Sequence, residues 1–184
     1  MHVLYFVRVP EADSSRAAME EAVAVLEFSG FADPDGYPAK ADWYAVGGRW
    51  SGLLTEITPA AVRARKQIER MLRREYPALA SGIRGVRYGS PEQEGLRAIA
   101  VGRANDLYLD ATGVPYERDT DRVAFYDDDA ARITAAMLST VRERYGDVEV
   151  CLTRGGAVVS EQKLARLADA EIVGAWLVVI DYHC

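Results

Sequence analysis

A chain of 184 residues that is 49% hydrophobic and 27% charged has the length of one domain and enough apolar material for a substantial core. Its formal net charge of −6 and pI near 5.0 disfavour a general binder of nucleic acid or anionic membranes, because the long-range field repels polyanions. Two cysteines, Cys151 and Cys184, are too few for a disulfide framework, and no apolar run approaches the ~20 residues of a spanning helix. The opening residues lack the basic and apolar regions of a signal peptide, so a soluble, cytoplasmic chain with reduced thiols is expected.

Residues 2–9 are almost uniformly apolar and β-prone, the pattern of a strand covered on both faces. Asp13 or Ser14 can then cap a helix over 14–29, in which Met19, Ala22, Val23 and Leu26 recur on one face and Gly30 marks the stop. Pro34, Gly36 and Pro38 make 31–40 a surface loop. The loop leads into Asp42-Trp43-Tyr44-Ala45-Val46-Gly47-Gly48-Arg49-Trp50-Ser51-Gly52, which combines two of the three tryptophans with paired glycines and an arginine. A strand over 43–46 followed by a turn at Gly47-Gly48 is expected. The glycines fit neither a Rossmann nor a P-loop fingerprint, since the spacing, the lysine and the strand-to-helix order are missing.

Thr58 and Pro59 open a second helix, to about Tyr76, with Ala61, Ala64, Ile68, Met71 and Leu72 as its buried stripe. Its opposite face carries Arg63, Lys66, Arg70, Arg73 and Arg74, either a solvated face with intrahelical pairs or a surface for phosphate or an acidic partner. Frequent glycines across 80–126 suggest short strands at 84–88, 96–101, 106–109 and 122–126. The acidic residues Asp106, Asp110, Glu117, Asp119 and Asp121 match no calcium-loop spacing, and no metal is assigned to them. Asp127-Asp128-Asp129 read as the capped start of a helix over 129–145, with Ile133, Met137, Val141 and Tyr145 on one face. A strand at 148–153, a turn at Gly155-Gly156, a short helix from Ser160 to Ala168 and a buried strand at 172–180 complete the chain, which turns polar at Asp181.

Irregular alternation of elements points to an α+β fold in a single domain over 1–184: a mainly antiparallel sheet covered by about three helices, with a ferredoxin-like core and insertions as the preferred architecture. His2-Val3-Leu4, the Asp42–Gly52 motif and Val178-Val179-Ile180-Asp181-Tyr182-His183 together resemble a family of small uncharacterised phage and bacterial proteins. The resemblance carries no activity, and implies only that these three places form one constellation.

If the first and last strands pair antiparallel, His2 and His183 become neighbours, and strand parity puts Asp181 on the same face as His183. His2, Asp181 and His183 are then candidate acid–base residues in a pocket with Arg49 at its rim. The plainer alternative is that they are frayed terminal residues. Asp42, Trp43, Tyr44, Gly47, Gly48, Arg49 and Trp50 are the candidate ligand-binding set, with Arg49 the anchor for a carboxylate or phosphate and an indole beside it. Against this stands a purely structural turn in which the tryptophans fill the core and Arg49 pairs with Asp42. A metal-free site for an anionic small molecule is expected, with no cofactor assigned. The alternative is an interaction module that uses the basic helix to bind an acidic protein or nucleic acid.

Overall fold

The structure is a computed structural model that describes residues 1–31, 40–79, 91–114, 116 and 128–184. The predicted strands at 84–88 and 122–126, and most of the 31–40 loop, lie outside them. Contacts divide the chain into two compact units, one of Met1–Ile57 with Thr120–Cys184 and the other of Thr58–Asp119.

The first unit is built on β1 (His2–Val9), β2 (Trp43–Val46), β3 (Ala130–Arg132), β4 (Glu149–Arg154), β5 (Ala157–Lys163) and β6 (Trp176–His183). They form a sheet of order β2-β6-β1-β4-β5, with β3 also on β6. Among the described residues every pairing is antiparallel except β1 with β4. The α+β class and the mainly antiparallel sheet are therefore those the sequence suggests. A ferredoxin-like core is not reproduced strand for strand: β1 lies directly beside its parallel partner β4, whereas a split β-α-β arrangement keeps another strand between them.

Both uniformly apolar runs occupy interior positions, since a strand without polar alternation has no face for water. Tyr5, Val7 and Val9 of β1 join Val178, Ile180 and Tyr182 of β6 on one side of the sheet, under Ala18, Met19, Ala22 and Leu26 of α1 (Ser15–Phe28). Phe6, Leu177 and Val179 face the other side, under Met137, Leu138 and Val141. Ser14 caps α1 by accepting from Ala17 N at 3.1 Å.

The helix expected over 129–145 begins later. Residues 130–132 pair with β6 as β3, and α4 covers Ala135–Tyr145. Ile133 is buried, but as the residue after a strand, where its N–H donates to Ala175 O at 2.9 Å. Asp128 and Asp129 are thus too far upstream to cap the helix. The expected helix from Ser160 is also absent: Ser160 to Lys163 stay in β5, which follows β4 through the Gly155-Gly156 turn. Positive φ at both glycines, +58° and +77°, matches the twist that a two-residue hairpin needs. A four-residue α5 (Asp169–Ile172) precedes β6, which accordingly starts at Trp176 rather than 172.

In the second unit, α2 (Pro59–Glu75) has its expected bounds, with Thr58 Oγ1 accepting from Ala61 N at 3.2 Å. Its stripe of Ala61, Ala64, Ile68, Met71 and Leu72 meets Ala100, Ala104 and Tyr108 of α3 (Pro91–Thr112). The strands predicted at 96–101 and 106–109 are both parts of α3. Buried residues spaced by four show the helical period; Gly95 and Gly102, which look like breakers, sit inside the helix with open space where a Cβ would be. No helix among the described residues is long and apolar enough to cross a membrane.

On the α1 side of the sheet, Lys40 joins two strands. Its Nζ donates to Glu149 of β4 at 2.9 Å and Glu161 of β5 at 2.7 Å, and lies 4.4 Å from the centre of the Tyr5 ring. Burial pulls the Lys40 ammonium down, but the carboxylates outweigh it and hold the pKa above the ordinary lysine value. The hydrogen bond from Lys40 in turn holds Glu149 below the usual carboxylate range. Both acids are about 40% exposed, so the cluster contributes about 1 kcal/mol or less. Because the folded pKa of Glu149 is depressed, that contribution is present above the unfolded value, near ~4.3, and is lost as pH falls through the folded one. Lys40→Met is expected to lower the urea midpoint at neutral pH, with the gap to wild type closing below about pH 4. A gap that persists unchanged into acid would contradict this origin.

Candidate functional site

Two short strands share one edge of β6: β2 runs against Ile180–His183 and β3 against Trp176–Val178. Between them Val179 O accepts from Gly47 N, and Val179 N donates to Asp129 O, each at 2.8 Å. The edge is therefore handed from one strand to the other at a single residue. There the chain leaves β2 through Gly47 and Gly48 into a 3₁₀ turn at Gly48–Trp50.

Two buried carboxylates explain the glycine pair. Asp129 is 0% exposed and Asp181 2%. A Cβ on Gly47 would lie 2.3 Å from an Asp129 oxygen, and one on Gly48 would lie 2.5 Å from an Asp181 oxygen. Positive φ values of +72° and +53° add a second reason for glycine at both positions. Without side chains, the turn's backbone and neighbouring groups reach the acids. Arg49 N donates to Asp181 Oδ2 at 3.0 Å; Ser51 Oγ and Gly52 N donate to Asp129 Oδ1 at 2.6 and 3.1 Å. These donors offset the loss of water around buried acids.

The other oxygen of Asp181 faces His2, with Nδ1 and Oδ1 2.9 Å apart. An acceptor on Nδ1 places the ring proton there and leaves a lone pair on Nε2. Nε2 forms no hydrogen bond among the described residues. Cross-strand register sets His2 opposite His183, and Trp43 on the far side of His183. The three rings therefore share one face at the end of the sheet. His2 and His183 are 5.5 Å apart between centroids, Trp43 stacks on His183 at 5.8 Å, and His2 meets Trp43 edge-on at 5.3 Å. The cluster is accessible, with the His2 and His183 side chains 23% and 37% exposed and Trp43 43%. His183 Nδ1 lies 3.2 Å from Asp42 Oδ2, so each imidazole has a carboxylate partner.

His2, Asp42, Trp43, Asp181 and His183 thus come together as the sequence suggests. Gly47 and Gly48 act as spacers for the carboxylates. Arg49 adjoins Asp181 through its backbone, and its exposed guanidinium has no ion pair or hydrogen bond among the described residues. The Arg49–Asp42 pair considered above does not form, because Asp42 faces His183, and no indole lies under the guanidinium among the described residues. Tyr44 and Trp50 form no ring contact with the cluster among the described residues. Strand alternation sends Tyr44 to the opposite face against Phe31, ring centroids 5.9 Å apart, while Trp50 packs beside the core that holds Leu53 and Leu54. Asp129 and Ser51 are the residues missed as site members. The glycine pair signals that something must approach closely, but not what.

An oriented imidazole with a lone pair on Nε2 can accept a proton, while the second imidazole, His183, has Nδ1 beside Asp42 and Nε2 3.0 Å from the Met1 amino group. Two imidazoles are fewer than the three protein ligands usual for catalytic zinc, and among the described residues no group of three or more His, Cys, Asp or Glu is placed to hold a metal. Comparison with protein-family models, curated proteins and solved structures finds no match in any of the three.

Gly156→Ala, in open space at φ +77°, is expected to lose only the left-handed penalty of about 1–2 kcal/mol. Gly47→Ala, at φ +72° and ψ −73° and against Asp129, carries a backbone cost at least as large and adds an overpacking cost of about 1–3 kcal/mol. Urea unfolding of the two variants measures the difference, and equal losses would show that the carboxylate does not require the glycine.

Proposed function

We propose that the His2, Trp43 and His183 cluster is the binding site of a small anionic molecule and that proton transfer is its chemistry. His2 Nε2 accepts a proton and His183 is the second acid–base group. The exposed ring of Trp43 provides a flat apolar surface, and the guanidinium of Arg49 receives a carboxylate or phosphate. One observation carries this reading: a single buried carboxylate, Asp181, accepts from both the His2 imidazole and the Arg49 backbone. Asp181 thereby acts as a positioning residue between the proton acceptor and the peptide that bears the anion anchor.

The test is a thermal-shift screen of carboxylates and phosphate monoesters, followed by titration of any hit against variants. Arg49→Ala is expected to weaken the hit by about tenfold or more, the loss of a charge-assisted contact. His2→Gln is expected to abolish turnover where the hit is a substrate. A hit that survives Arg49→Ala but is lost when Arg70, Arg73 and Arg74 are reversed to Glu would overturn this site in favour of the basic helix.

A further inference from the structure

The second unit contains a separate concentration of charge. α2 carries six basic residues against two acidic ones, in a chain whose net charge is −6. Beside it runs an open groove of about 660 Å³, with Arg70 and Arg74 of α2 on one wall and Arg103 of α3 on the other. Arg70 and Arg74 lie one helical turn apart and so present their guanidiniums on the same face. Met71 and Leu107 supply apolar lining between the walls.

Glu75 already occupies part of this groove. Its Oε1 accepts from Arg74 Nη2 at 2.8 Å, and its Oε2 accepts from Arg103 Nη1. Arg103 also donates to Tyr76 OH at 3.3 Å, with its guanidinium 5.8 Å from the centre of that ring. Hydrogen bonds from Arg103 and then Arg74 hold the Glu75 carboxyl below the usual carboxylate range, so it stays an anion. Three guanidiniums against one carboxylate leave the groove with unbalanced positive charge.

We propose that the groove between α2 and α3 binds a small, multiply charged phosphate compound, and that Glu75 is its built-in competitor. Arginine forks suit phosphate oxygens in pairs, and the residual charge calls for more than a single carboxylate to balance it. The volume suits a small ligand. The net negative charge of the chain weighs against an extended nucleic-acid strand, whose remaining phosphates would be repelled. Glu75 keeps Arg74 and Arg103 facing each other while the groove is empty, and an incoming phosphate takes over their donors.

Calorimetric titration of the full chain with tripolyphosphate at low ionic strength tests this. Wild type is expected to bind with an affinity that falls as salt rises. Glu75→Gln is expected to tighten binding by about threefold or more by removing the competing charge, and Arg70→Ala with Arg103→Ala to weaken it by about tenfold or more. Arg70→Ala alone, at an exposed position, gives a weakening in the same direction if the double variant does not fold. Arg49→Ala, which removes the anion anchor of the histidine cluster, should bind tripolyphosphate as wild type does, which separates the two sites. Absence of binding in both wild type and Glu75→Gln overturns the proposal, as does binding indifferent to Arg70 and Arg103. Tight binding of a mixed-sequence single-stranded oligonucleotide, with tripolyphosphate inert, would overturn the small-ligand assignment.

Discussion

Buried carboxylates need hydrogen-bond donors, and donors can reach Asp129 and Asp181 because the chain beside them has no side chains in the way. Gly47 and Gly48 bring a tight turn to within contact of both acids, and Arg49 N, Ser51 Oγ and Gly52 N supply the bonds. Much of the local architecture depends on this contact. It fixes where β2 leaves the edge of β6 and where β3 takes over, and it holds Asp181 so that its second oxygen faces His2. Any side chain at either glycine would have to displace an acid that is almost wholly enclosed.

The frame of the first unit is readable from composition alone because its strongest elements are also its most buried. The runs at β1 and β6 lack polar alternation, which is possible only for strands with neighbours on both sides and layers on both faces. Ser14 and Thr58 announce their helices through side chains that bond the first turn. Elements that depend on distant partners are harder to see. β3 is three residues long and exists because β6 offers it an edge, so the carboxylates before it look like a helix cap. α3 hides behind Gly95 and Gly102, since its buried stripe is mostly alanine, too weakly apolar to outweigh the breakers. β5 continues past Ser160 because β4 holds its backbone, which no local preference reveals.

The same contrast holds at the candidate site. His2, Asp181 and His183 can be brought together on paper, since antiparallel pairing of the outermost strands and the two-residue period suffice. Asp42 and Trp43 follow from their place beside the glycines. Asp129 cannot be found this way, as its position is set by the register of β3. Tyr44 and Trp50 belong to the same stretch of sequence but serve the packing, each half-buried against the core of one sheet face. A motif of eleven residues is thus divided between holding the fold and presenting the rings. The charge of the protein is divided as well, with an acid-supported histidine cluster in one unit and an arginine-lined groove in the other.

The dependence of His2 on Asp181 can be measured at the atoms concerned, by the nitrogen chemical shifts of the His2 imidazole at a pH where the ring is neutral. With Asp181 accepting from Nδ1, the proton sits on Nδ1 and Nε2 carries the lone pair, which is the less common form of a free histidine ring. Asp181→Asn should release that preference while the His183 signals keep theirs, because His183 is held by Asp42 and the Met1 amino group instead. A wild-type His2 protonated mainly on Nε2, or a ring unchanged by Asp181→Asn, would contradict the coupling on which the histidine site rests.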